Sequence, residues 1–197
     1  MSLILASGSP RRHELLASIG LRFEVVTSDV EEIREEGEEA QSYVKRLALE
    51  KAEAVAAKRP EAWIIAADTV VWLAGEILEK PRDQADAVRM LGLIAGKEHV
   101  VYTGTALRCR EKEWSRCEVT STRVRMSAMS LEEARWYAST GEPLDKAGSY
   151  AVQGIGAMFI ESIEGNYTNV VGLPLTTLVR MMREAGIDPA ASSVAMG

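Results

Sequence analysis

The first stretch that could do chemistry is Ser7-Gly8-Ser9-Pro10-Arg11-Arg12, where two hydroxyls stand beside two guanidiniums. A short apolar run, Leu3 to Ala6, precedes it and reads as a buried strand. Pro10 sits where a first helical residue belongs, with Ser9 as the N-cap, and Leu15, Leu16 and Ile19 recur at helical spacing until Gly20. A helix N-terminus offers free backbone N–H groups and a partial positive charge. Arg matches the bidentate geometry of phosphate oxygens. The chemistry is then a phosphate grip; the competing reading is a capped surface helix with two solvated arginines.

Carboxylates and lysines come next. Asp68 interrupts the apolar run from Trp63 to Trp72. A carboxylate inside such a run costs free energy unless it is paired or functional, and this break in an otherwise consistent pattern favours function. Lys51 falls on the apolar stripe of a helix expected over 39–58, one turn after Leu47 and one before Val55. It is either a snorkelling stem or an ammonium aimed into a cleft. Asp29, Glu31 and Glu32 follow the end of an expected second strand, Phe23 to Ser28, where α/β proteins commonly build sites. The rest of the acidic segment, Asp29 to Glu39, reads as a solvated loop and helix start.

The elements that must position these groups follow in order. Trp63 to Ala67 reads as a strand ending at Asp68-Thr69, with the β pattern resuming at Val70 and turning at Ala74-Gly75. Glu79-Lys80-Pro81-Arg82 leads to Asp83, the expected N-cap of a helix ending before Gly96. Two long β segments, 99–109 and 114–126, are joined by a charged hairpin turn, and Ser130 with Glu133 forms a capping box. The glycine-rich stretch from Glu142 to Gly156 reads as a loop packed against backbone or ligand. A strand from Met158 to Glu164, a last helix from Pro174 and a frayed tail from about residue 188 complete the chain. No composition break marks a second independent domain, so one domain over 1–197 is expected.

The bulk numbers exclude several classes. The net charge is −6, which disfavours a broad nucleic-acid or anionic-membrane surface. No apolar run approaches the roughly 20 residues of a membrane span, and the N-terminus lacks the pattern of a signal peptide. Two cysteines, Cys109 and Cys117, without a CxxC, fit a reduced cytoplasmic setting, and two histidines are too few for a His-rich metal site.

Ala6-Ser7-Gly8-Ser9-Pro10-Arg11-Arg12, Ala67-Asp68-Thr69-Val70-Val71, Lys80-Pro81 and Lys146-Ala147-Gly148-Ser149-Tyr150-Ala151-Val152-Gln153-Gly154 occur here in one order. In that order and spacing the chain resembles the Maf family of nucleotide pyrophosphatases from about Leu3 to Gly186. The resemblance implies an α/β fold like the inosine-triphosphate pyrophosphatases, a mixed elongated sheet flanked by helices, in two lobes with a central cleft. It implies house-cleaning hydrolysis of a nucleoside triphosphate to monophosphate and pyrophosphate, with a divalent metal, Mg²⁺ or Mn²⁺, in a homodimer. Asp-Thr at the acidic motif and Gln-Gly after the tyrosine resemble the branch that cleaves dTTP and UTP, an activity that could extend to modified pyrimidine nucleotides. The alternatives are a branch acting on 7-methyl-GTP or another modified nucleotide, or a nucleotide-binding regulator of cell division.

On that resemblance the catalytic proton acceptor is Asp68, and base choice falls on Arg12, Thr69 and Gln153. Glu32 and Asp68 are the candidate metal ligands, with the division of metal and base roles between them left open. Arg11, Arg12, Lys51 and Lys80 would hold the triphosphate, with Ser7 and Ser9 donating hydrogen bonds. Glu31 stands where the family often has Asp, and Glu79 where Gly is common.

Overall fold

The computed structural model describes residues 2–190, so most of the tail expected to fray lies outside the described residues. The strands are β1 (Leu3–Leu5), β2 (Glu24–Val25), β3 (Trp63–Leu73), β4 (Glu76–Leu78), β5 (Glu98–Cys109), β6 (Trp114–Met126) and β7 (Ile160–Glu164). The helices are α1 (Pro10–Ser18), α2 (Ala40–Ala56), α3 (Gln84–Ile94), α4 (Leu131–Ser139), α5 (Tyr167–Val171) and α6 (Leu175–Glu184). The strands form one mixed sheet in the order β2-β1-β3-β5-β6-β7, with β4 paired to β3. β1 runs parallel to both β2 and β3, whereas β4 on β3 and β7 on β6 are antiparallel.

Two compact units share these strands. The first comprises Met1–Asp68, Thr103–Thr120 and Gly172–Gly197; the second comprises Thr69–Tyr102 and Ser121–Val171. In the first unit, alternation along the paired strands β1 and β3 sends residues to two faces. Leu3, Leu5, Trp63, Ile65 and Ala67 pack with Leu16 of α1 and Leu178, Met181 and Met182 of α6. Ile4, Ala6, Ile64 and Ala66 pack on the other face with Ala48, Ala52 and Val55 of α2. Both faces are covered, as a parallel pair requires, which is why these strands read as continuous apolar runs. In the second unit, α3, α4 and the strand segments of β3, β5 and β6 enclose a core of Val71, Met90, Leu91, Ile94, Val101, Val124 and Tyr137.

Several expected elements are shifted. β3 is one strand through Asp68, not two pieces broken there. The second strand shrinks to Glu24 and Val25, both exposed at the sheet edge. Met158 and Phe159 lie in a 3-10 turn, Gly154–Phe159, ahead of β7. The short α5 carried no sequence signal. The capping box at Ser130 and Glu133 forms, and Asp83 caps α3 by accepting from the Asp86 N–H.

Candidate active site

Parity along β3 decides where Asp68 points. It shares the face of Ile64 and Ala66, which is the face that α2 covers. Lys51 lies on the buried stripe of α2 with Leu47, Ala48 and Val55. The two therefore meet inside the first unit: Lys51 Nζ donates to Asp68 Oδ1 at 2.6 Å and to Glu32 Oε1 at 2.5 Å. Lys51 is 6% exposed and Asp68 7%, so the ammonium does not snorkel to water. Burying either charge alone costs several kcal/mol. The run from Trp63 tolerates Asp68 because its charge is matched at hydrogen-bond distance.

Glu32 arrives from the acidic loop, and α2 also holds that loop. Tyr43 Oη donates to the Glu32 carbonyl at 3.2 Å. Arg46 grips Glu38 with two nitrogens, at 2.8 and 2.7 Å, and donates to the Ile33 carbonyl at 2.9 Å. Fork-to-fork pairing of this kind fixes orientation as well as charge. Most of the segment is exposed, as expected, but one helix pins it at Glu32 and again at Ile33 and Glu38.

α1 begins with Pro10, and Ser9 occupies the N-cap position. The Ser9 hydroxyl makes no capping hydrogen bond; Ser7 Oγ instead accepts from the Ser9 N–H at 3.2 Å and from Arg12 at 3.1 Å. Arg12 Nε donates to the Gly172 carbonyl at 2.8 Å. Burial pushes the Arg12 guanidinium below its ordinary value, Asp68 and Glu32 pull it up, and Arg11 pushes it down. Arg12 is thus a fixed, partly desolvated cation and not a solvated surface arginine. Ser7 and Asp68 both follow the paired residues Leu5 and Ile65 of β1 and β3, at the carboxyl end of a parallel pair.

Glu32 and Asp68 both reach the Lys51 ammonium and offer oxygen donors only. That set fits a hard divalent cation that completes its shell with water and substrate phosphates. Among the described residues no group of three His, Cys, Asp or Glu gathers into an all-protein cage.

The remaining expected residues belong to the second unit. Thr69 follows Asp68 on β3 with opposite parity and is half-buried. Lys80 and Glu79 are exposed just after β4, and the Glu79 carbonyl accepts from the Gly148 N–H at 3.1 Å. Gln153 is exposed at the head of the 3-10 turn Gly154–Phe159. The structure therefore brings Ser7 to Arg12, and Glu32 and Asp68 to Lys51, inside the first unit. Sequence reasoning missed Tyr43, Arg46 and the Gly172 carbonyl. An arginine one turn beyond a buried tyrosine was a faint signal for the first two; a backbone carbonyl leaves none.

The Maf-like protein family matches residues 2–185. Relatives called dTTP/UTP pyrophosphatase include one from Myxococcus xanthus, 50% identical over 94% of this chain and 93% of its own length. Others come from Desulfotalea psychrophila, 48% identical over 91% of this chain and 92% of its own, and Geobacter sulfurreducens, 48% identical over 93% and 96%. Among solved structures, the Staphylococcus aureus Ham1 protein aligns with a TM-score of 0.46 and 15% identity, over 81% of this chain and 80% of its own. With the family match running through nearly the whole described chain, this protein belongs to the Maf-like protein family.

Proposed function

We propose that this chain hydrolyses dTTP and UTP to the nucleoside monophosphate and pyrophosphate. One observation carries the reading: the buried Lys51–Asp68 ion pair, joined by the more exposed Glu32 carboxylate and felt by the Arg12 charge, in a chain about half identical to proteins called dTTP/UTP pyrophosphatases. Water attacks the α-phosphorus, the α–β anhydride bond breaks, and pyrophosphate leaves with the electron pair. Asp68 takes the proton of that water, and the hydrogen bond from Lys51 orients Asp68 for the task. Arg12 neutralises phosphate charge from a position set by Ser7 and the Gly172 carbonyl, with Arg11, Lys51 and Lys80 as further cations. Ser7 Oγ accepts two bonds and keeps its own proton to donate to a phosphate oxygen; Ser9, whose hydroxyl does not cap α1, can do the same.

Mg²⁺ or Mn²⁺ held by Glu32 and Asp68 would neutralise the charge that develops on the phosphates. Thr69, Gln153 and Arg12 are assigned to base choice. Gln153 can present both a donor and an acceptor to a pyrimidine edge. The reading also includes a homodimer and a cytoplasmic, house-cleaning role; no described helix is long and apolar enough to cross a membrane.

The test is purified protein with Mg²⁺ or Mn²⁺ against dTTP, UTP, CTP, GTP and 7-methyl-GTP, with pyrophosphate and orthophosphate scored separately. Pyrophosphate from dTTP and UTP ahead of the rest is expected. Folded protein that releases none from any nucleotide overturns the reading, as does orthophosphate alone.

A further inference from the structure

In the second unit, one carboxylate organises the loop that carries Gln153. Glu142 Oε1 accepts from Tyr137 Oη at 2.7 Å and from the Gly156 N–H at 2.8 Å, while Oε2 accepts from the Ile155 N–H at 2.9 Å. Tyr137 Oη in turn accepts from the Ala151 N–H at 3.0 Å. Both flanks of Gln153 are thereby tied to one tyrosine–carboxylate pair, residue 151 on one side and residues 155 and 156 on the other. The glycines confirm how tightly the chain wraps this pair. Gly154 has φ 68°, and a Cβ there would run into the Glu142 carboxylate; a Cβ on Gly156 would run into Tyr137 Oη.

Lys146 Nζ donates to the Glu142 carbonyl at 2.5 Å, fixing the backbone from which the carboxylate projects. Burial opposes the Glu142 charge, but the Tyr137 hydroxyl, the two N–H groups and Lys146 outweigh it and hold the carboxyl below the usual range. The Tyr137 ring is buried in the core against Phe159, so the anchor is rigid. Gln153 is exposed, and its side chain makes no capping bond to the turn it heads.

We infer that Glu142 and Tyr137 are positioning residues for base choice: they hold the 151–156 loop so that the Gln153 amide meets the base in one orientation. This rests on the proposed pyrimidine triphosphate hydrolysis. An exposed amide on a loose loop could turn its donor and acceptor either way and would accept cytosine nearly as well as uracil. A loop fixed on both flanks sets the point and direction from which the amide projects before the substrate arrives, so that the base edge has only the side-chain torsions left to select.

The experiment compares kcat/KM for UTP, CTP and GTP in the wild type, Glu142→Gln, Tyr137→Phe, Gln153→Ala and the Glu142→Gln/Gln153→Ala double variant. Glu142→Gln replaces an acceptor oxygen with an NH2 that faces another N–H, and Tyr137→Phe keeps the ring while deleting the hydroxyl. Each single variant is expected to flatten the UTP:CTP ratio by about tenfold or more. UTP turnover at saturation should change by less than about threefold in Glu142→Gln and Tyr137→Phe. The double variant should be no flatter than Gln153→Ala alone, because the two residues act through one group.

A ratio unchanged in Glu142→Gln and Tyr137→Phe, with all three substrates lowered alike, overturns the inference and leaves a structural anchor. So does a Gln153→Ala that still discriminates. If Glu142→Gln does not fold, Tyr137→Phe decides by the same ratio. Wild-type protein that releases no pyrophosphate overturns the proposed function itself, a result separate from the other two.

Discussion

The two regions that carry the expected site residues are fixed by different physics. In the first unit, Asp68 and Lys51 sit on a central strand and a long helix, and each is held by the charge of the other. In the second, Gln153 sits on a loop of 3-10 turns, held by backbone N–H groups that converge on Glu142. On the proposed function, the difference separates two jobs. Proton transfer and charge neutralisation need ionised groups at fixed distance, and buried regular elements supply that. Reading a base edge needs an exposed amide at a fixed angle, which a loop provides only when something underneath ties it down.

The largest effect that would break this comparison is expected at Asp68. Asp68→Asn should lower kcat by about 10²–10⁴-fold for every nucleotide alike, with circular dichroism unchanged and base preference intact. Retained activity would remove Asp68 as the proton acceptor. A variant that instead lost base preference would show that the two regions do not divide the work as described.

Lys51→Met comes next and reports on stability. It strips a buried carboxylate of its counter-charge, and breaking such a pair typically costs about 3–5 kcal/mol. Urea unfolding should show that loss, and adding Asp68→Asn should return part of it. A neutral Lys51→Met would mean that Asp68 is better solvated than its 7% exposure indicates.

The second unit buries a polar group in the neutral state. His99 is 2% exposed, its Nε2 lies 2.8 Å from Tyr150 Oη, and burial lowers its pKa to about 4 from 6.5. Between those values the unfolded chain binds the proton and the folded chain does not. Stability is therefore complete above about pH 6.5 and falls as pH drops toward 4, by about 3 kcal/mol from this residue. Unfolding free energies at pH 7 and pH 4.5 should differ accordingly, and His99→Gln should flatten the dependence. A slope that His99→Gln leaves untouched would place the acid sensitivity elsewhere.

The smallest effect sharpens the contrast. Ser130→Ala removes the capping box of α4, the helix that carries Tyr137, and should cost about 1 kcal/mol in thermal unfolding. It should leave the UTP:CTP ratio unchanged. A shifted ratio would mean that base preference follows helix stability in general, not the Glu142 bonds in particular.

Several parts of this protein were legible because local rules decided them. Pro10 opened α1, Asp83 and Ser130 capped α3 and α4, and Ala74-Gly75 turned β3 into β4. Apolar periodicity predicted a helix over 39–58, which forms as α2 over 40–56, and put Lys51 on its inward face. The four motifs named candidate residues in both units, while Glu32 and Lys51 came from a strand end and a helix stripe. Other parts depended on partners distant in the chain. Whether Asp68 ended a strand or ran through it turned on whether Lys51 matched its charge, and the sequence left that lysine between two readings. The Phe23–Ser28 run could not show that only Glu24 and Val25 would find a ladder partner at the sheet edge. Ser9 held the cap position, yet its hydroxyl makes no capping bond and its own N–H donates to Ser7 Oγ.

The sequence by itself determined most of the elements, the family resemblance and the kinds of group available for chemistry, because propensity, capping and period act over a few residues. Only the tertiary structure decided which charges meet, which face of β3 carries Asp68 toward α2, and that Glu142 gathers the loop around Gln153. Those outcomes follow from strand register and from the need of every buried charge and N–H group for a partner, and those partners lie 5 to 19 residues away in the chain.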